Sequence, residues 1–128
     1  MTRVLALDYG SARCGCAISD PTGTLATPLP ALDRPGSEAG IERIAGLVHD
    51  LGAERVIVGL PVSLSGEEGP QAAETRAFAQ RLQGEVGVPV DTWDERFTTR
   101  LAQSTPGRHA EDSRAAAHLL QSWLEAHR

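Results

Sequence analysis

Three strand-like runs come first in this chain, and only after them do helical and strand-like segments begin to alternate. Arg3 to Asp8 is apolar between its charged ends, and Arg13 to Ser19 sets Cys14, Cys16 and Ile18 against small residues in alternation, the pattern of a strand. Asp20-Pro21-Thr22-Gly23 is turn chemistry, and Leu25 to Leu32 reads as the third strand. Pro28 and Pro30 lack the N–H that an inner ladder needs, which assigns that strand to a sheet edge. Strands this closely linked pair as an antiparallel meander.

From Ser37 the pattern changes. Ser37 is placed to cap a helix, Ile41, Ile44, Ala45, Val48 and Leu51 recur at helical spacing, and Gly52 ends it. Arg55 to Leu60 is a short, near-continuous apolar run, as in the interior of a parallel sheet. Ser65 to Pro70 is loop, and Pro70 suits the first turn of a helix that buries Ala73, Ala77, Phe78, Leu82 and Val86. Val88 to Trp93 is the fifth strand, ending in Asp94-Glu95. Glu111 to His127 is a helix with Ala115, Ala116, Leu119, Leu120, Trp123 and Leu124 on one apolar stripe. The order β-β-β-α-β-α-β-α is that of an α/β, ribonuclease H-like fold: a mixed five-stranded sheet flanked by helices. A chain of 128 residues makes one such domain, spanning 1–128.

Asp8 is the costly residue in this plan. A carboxylate at the end of a buried strand needs compensation, because charge is almost never buried unpaired. Glu95 lies at the carboxyl end of the last strand, and ligands of open α/β sheets sit beyond those ends. Asp112 opens the final helix and shares a face with positions 116, 119 and 123, so packing that stripe on the sheet carries its carboxylate towards the central strands. Three acids from separate elements could then converge, and they stay ionised together only if cations neutralise them. Hard oxygen ligands suit Mg2+ or Mn2+. Two such ions about 3.5–4 Å apart activate a water and stabilise the leaving oxygen of a phosphodiester. Each acid also has a plainer reading: Asp112 as a helix cap, Glu95 as the surface partner of Arg96 or Arg100.

Composition narrows the class. No apolar run approaches the ~20 residues that span a bilayer, and the chain opens directly on a strand pattern, so a cytoplasmic protein without a signal peptide is expected. Cys14 and Cys16 are too close for a disulfide framework and point to one face of their strand. They read as core residues, with an intermolecular redox contact as the alternative. The net charge of −5 argues weakly against nucleic acid, although bound cations would reverse the local sign. All twelve basic residues are arginine, a type suited to bidentate phosphate contact, but a compositional bias of the source genome is the simpler explanation. Five Phe, Tyr and Trp residues offer no evident stacking platform for single strands, so phosphate-dominated recognition of a structured nucleic acid fits better.

A resemblance covers nearly the whole chain. Asp8-Tyr9-Gly10-Ser11-Ala12-Arg13-Cys14-Gly15-Cys16-Ala17 resembles the opening segment of the YqgF/RuvX family. Val58-Gly59-Leu60-Pro61 with Gly66 to Gln71 resembles its central segment, Asp94-Glu95-Arg96-Phe97-Thr98-Thr99 its "DERxTT" signature, and Asp112 to Ala116 with Leu119 to Leu124 its C-terminal one. The family is similar to ribonuclease H and to Holliday junction resolvases. It implies a divalent-metal-dependent nuclease, with processing of the 5′ end of precursor 16S rRNA as the first role and resolution of four-way DNA junctions as the second. Its acidic triad maps onto Asp8, Glu95 and Asp112. The chain departs from it between Arg100 and Glu111, where the family usually carries a longer basic stretch.

Two other classes remain as alternatives. A phosphotransferase of the actin/hexokinase type also places an Asp-x-Gly after its first strand, but this chain is too short for two lobes closing on ATP. A non-catalytic nucleic-acid-binding module would have no use for a three-carboxylate cluster. Arg13 and Arg96 flank the acids in sequence and are expected to hold substrate phosphates, with a salt bridge to a neighbouring acid as the alternative. A brief helix from Thr98 should end in Gln103 to Gly107, with a tight loop leading to Asp112. So little positive surface implies either weak, salt-sensitive binding by a monomer or a homodimer that shares one substrate.

Overall fold

The computed structural model describes residues 3–63, 65–95 and 108–127. Its elements run β1 (Arg3–Tyr9), β2 (Arg13–Ser19), β3 (Ala26–Asp33), α1 (Glu38–Leu51), β4 (Ala53–Leu60), α2 (Pro70–Val86), β5 (Val90–Asp94) and α3 (Arg108–Ala126). One five-stranded sheet has the order β3-β2-β1-β4-β5, antiparallel across β3, β2 and β1 and parallel from β1 through β4 to β5. The proline-bearing β3 is an edge, as its missing donors require.

Each face of the sheet has its own core. Leu5, Leu7, Cys14, Cys16, Ile18, Val56 and Val58 point to α1 and α2, where Ile41, Ile44, Val48, Phe78 and Leu82 meet them. The residues between them in sequence, Val4, Ala6, Ala17 and Ile57, meet Ala116, Leu119, Leu120 and Leu124 of α3 on the other side. The α1 boundaries follow from its caps: Ser37 Oγ accepts from the Gly40 N–H, and Gly52 takes the left-handed conformation at φ 66°.

Several expectations need correction. α2 buries Ala72, Thr75, Phe78, Ala79 and Leu82, whereas Ala73 and Ala77 face solvent. The apolar stripe was shifted because alanines at neighbouring positions give it no sharp edge, and Thr75 is hidden by donating its hydroxyl to the Gln71 carbonyl at 2.8 Å. α3 begins at Arg108, so Asp112 does not open the helix but lies a full turn inside it. The turn chemistry of Pro106-Gly107 stops short of residues 108–111, which are good enough helix formers to extend the helix backwards. The helix expected from Thr98, the turn over 103–107 and Arg96 fall outside the described residues. Cys14 and Cys16 are fully buried, which removes the intermolecular redox contact. The Cys14 thiol is pushed well up by its hydrogen bond with Cys16 and by burial, so its reactive thiolate is disfavoured.

Candidate active site

The site is built around Asp8 by two glycines. Val4 and Ala6 of β1 face α3, so Asp8, two residues on, faces the same side. Gly15 on β2 is its direct antiparallel partner. On the other flank Leu7 pairs with Val58, which brings Gly59 of β4 beside Asp8. Both glycines lie on the α3 face, because Ala17 and Ile57 do. Asp8 thus stands between two strands that carry no side chain at its level.

Each gap is filled by another acid. A Cβ on Gly15 would lie 1.9 Å from the Asp112 carbonyl oxygen, so the backbone of α3 rests directly on β2 there. A Cβ on Gly59 would lie 2.8 Å from Glu95 Oε2, so the Glu95 carboxylate occupies the space over β4. Trp93 pairs with Gly59 and faces α3, which puts Glu95, just past the end of β5, on that side too. Ser113 fixes the height of α3: its hydroxyl donates to the Leu29 carbonyl and accepts from the Cys16 N–H at 3.5 Å. Near the other end Gln121 donates to the Thr24 carbonyl at 3.1 Å and accepts from the Ala26 N–H at 3.3 Å.

The three expected acids therefore come to one end of one face, each partly exposed. Their side chains are not equivalent. Asp8 and Glu95 line a common cleft of about 210 Å³ with Ser11, Gln71 and Glu74. Asp112 stands across Gly15 and accepts a hydrogen bond from Arg13 Nε at 2.9 Å. Among the described residues no three His, Cys, Asp or Glu side chains are close enough together to share one ion. Mutual repulsion favours such a spread arrangement, and the Arg13 guanidinium compensates the outlying member. An arginine carries five N–H donors, so one bond to Asp112 leaves capacity for a phosphate.

Tyr9 and Glu74 were not singled out by the sequence. The Tyr9 hydroxyl donates to Glu74 Oε2 at 2.7 Å while its ring stacks on Phe78, centroids 4.3 Å apart. Burial first, then the Glu74 carboxylate, pushes the phenol up to about 12. The glycines were missed as well, since their meaning depends on pairing across three strands. A third grouping lies at the far end of α3, where His127 stacks on Trp123 at 4.0 Å and meets Trp93 edge-on at 5.4 Å.

Residues 2–126 match a family described as "RuvX: Holliday junction resolvase". The chain belongs to the RuvX family. Similar curated proteins carry the name "Putative pre-16S rRNA nuclease". One from Leifsonia xyli subsp. xyli is 44% identical, the match covering 97% of this chain and 86% of that one. Another, from Pelotomaculum thermopropionicum, is 39% identical, covering 97% of this chain and 87% of that one. This RuvX chain is a nuclease, a hydrolase of phosphodiester bonds, and nucleic acid is its substrate class. Solved structures share its fold. T. thermophilus RuvC in complex with Holliday junction substrate aligns with a TM-score of 0.62 at 17% identity, covering 99% of this chain and 96% of that one. The Fowlpox virus resolvase in complex with Holliday junction DNA aligns at 0.60 and 12% identity, covering 98% of each. The ribonuclease H-like architecture is thus the fold of this RuvX protein.

Proposed function

We propose that this chain trims the 5′ end of precursor 16S rRNA in the cytoplasm, using a divalent cation, Mg2+ or Mn2+, that enters the cleft of Asp8 and Glu95 and draws Asp112 over from Arg13 to complete its ligands. The observation that carries the reading is the glycine-flanked Asp8, with the Glu95 carboxylate over Gly59 and the Asp112 backbone over Gly15. An alanine in either place would fill space that these two acids use. Two carboxylates on one cleft, with a third across a single glycine, offer the hard oxygen donors that such a cation prefers. When bound, the cation lowers the pKa of a water and offsets charge on the leaving oxygen. The residues do the rest. Asp8 and Glu95 line the cleft, while Arg13, already on Asp112, offers its remaining donors to a backbone phosphate. Arg96 follows Glu95 directly in the sequence and is assigned the neighbouring phosphate.

The relatives' names favour precursor rRNA. The family's description favours a second reading, resolution of four-way DNA junctions. No helix among the described residues is long and apolar enough to cross a membrane. A precursor-rRNA 5′ fragment and a four-way junction, each incubated with the protein and Mg2+ or Mn2+, test the reading. Cation-dependent cleavage of the RNA supports it, preferential cutting of the junction replaces it with the second, and binding without cleavage of either leaves a non-catalytic module. Sedimentation adds a geometric check: a two-fold homodimer matches the pseudo-symmetry of a junction, whereas a monomer suits end-processing.

A further inference from the structure

The aromatic grouping at the far end of α3 lines a groove of about 640 Å³ together with Arg55, Asp91 and Thr92. Its rings come from three places: Trp93 on the edge strand β5, and Trp123 and His127 one turn apart at the end of α3. His127 is exposed and Trp123 half-exposed, and the stacked pair presents an aromatic surface beside Trp93. His127 Nδ1 lies 2.8 Å from the Trp123 carbonyl oxygen, which fixes the ring on its neighbour. Arg55 and Asp91 are joined by an ion pair at the groove's margin.

This lining discriminates between the parts of a nucleotide. Asp91 repels a phosphate, and the Arg55 charge is already compensated, so the groove has no net attraction for the backbone. Flat rings take the face of a base. Arg55 supplies donors, and Asp91 and Thr92 supply acceptors, matching the mixed edge of a base rather than a uniformly anionic group. The groove and the candidate cleft share no lining residue, and His127 lies about 22 Å along α3 from Asp112. Trp93 and Glu95 lie two residues apart on the same face, about 6.5 Å along the strand, a span that extended single-stranded nucleic acid covers within a few nucleotides.

We propose that the Trp93–Trp123–His127 groove is a base-binding subsite that receives an unpaired nucleotide of the substrate strand a few nucleotides away from the scissile phosphate. It rests on the nuclease reading above and adds a substrate class: nucleic acid that is single-stranded within a few nucleotides of the cut. A base-paired nucleotide cannot enter, because its face and edge are already covered.

The chain has only two tryptophans and both line the groove, so intrinsic fluorescence reports on it without any cleavage. The protein is titrated, without added cation, with a short single-stranded RNA, a single-stranded DNA of the same sequence, and the RNA as a blunt duplex. Single strands are expected to quench the emission and to bind about tenfold more tightly than the duplex, with the RNA-to-DNA ratio assigning the sugar. Measured by anisotropy of a labelled strand, Trp123→Ala should weaken binding about tenfold, the scale of one lost base stack. His127→Ala, on an exposed side chain, should weaken it several-fold while keeping both reporters. Absence of quenching, equal binding of duplex and single strand, or wild-type binding by both variants overturns the subsite. If cleavage occurs without quenching, the subsite falls and the nuclease reading stands. Quenching without cleavage of any substrate supports the subsite and overturns the proposed site chemistry.

Discussion

The two faces of the sheet solve different problems with the same strands. Towards α1 and α2, successive rungs carry Leu5 and Leu7 on β1, Cys14 and Cys16 on β2, and Val56 and Val58 on β4. Towards α3, those strands carry Ala6 then Asp8, Ala17 then Gly15, and Ile57 then Gly59. The first face is filled by its own side chains. The second thins out towards the carboxyl ends of the parallel strands, until a helix backbone and a carboxylate rest on bare glycine. The first gives stability through apolar burial, while the second gives up side-chain volume to bring ionisable groups close. Packing density is highest on one face and gives way to ionisable groups on the other, while at the strand ends the cleft also takes Gln71 and Glu74 from α2.

The sharpest way to break this contrast is to remove the acids. Asp8→Asn, Glu95→Gln and Asp112→Asn should each lower cation-dependent cleavage by about 10³-fold or more, given the several kcal/mol a metal site contributes to a transition state. The folded state should survive, because relief of like-charge repulsion offsets the lost contacts. Near-normal cleavage by Asp112→Asn would confine the site to Asp8 and Glu95.

Filling the glycine gaps comes next. Gly15→Ala places a methyl group on immovable helix backbone and should cost about 3 kcal/mol or more. Cys14→Ala, on the opposite face of the same strand, should cost about 1 kcal/mol. Equal melting temperatures for the two would mean that α3 does not rest on β2. Gly59→Ala meets the flexible end of Glu95 instead. It should lose far more cleavage than stability, and the ratio of the two is the measurement.

Arg13→Ala should change stability by no more than about 1 kcal/mol, since the ion pair with Asp112 is partly exposed. Binding should weaken, and the slope of log affinity against log salt should drop by about one. Lost stability with an unchanged slope would make Arg13 only a partner of Asp112.

The smallest effect belongs to Tyr9, where the packed face meets the cleft. The single tyrosine should titrate by ultraviolet absorbance near 12. Its folded value lies above the unfolded 10.0, so its contribution to stability is complete below pH 10.0 and is lost as pH rises through about 12. Glu74→Gln should lower the midpoint only part of the way, because burial is the larger cause. A midpoint at the ordinary value would show that Tyr9 is not held between Phe78 and Glu74.

The element order, the edge position of β3 and the approach of three carboxylates to one end of the sheet were legible in the sequence. Each rests on local chemistry: alternation, prolines without N–H, caps at Ser37 and Gly52, and carboxylates where apolar runs end. The resemblance added the family and the nuclease class. Tertiary structure decided what local pattern cannot encode. Asp8 meets Gly15 and Gly59 only through strand pairing, and Ser113 sets the height of α3 through contacts with β2 and β3. The buried side of α2 is another such case, since a run of alanines and glutamines offers several stripes of similar apolarity and only the neighbouring sheet selects one. The aromatic groove was invisible for the same reason. Trp93 and Trp123 are far apart in sequence and ordinary as single residues, and only the packing of α3 beside β5 makes them one surface. Local sequence fixes which groups can do chemistry, whereas distances between them come from long-range packing, whose energy is spread over the whole core.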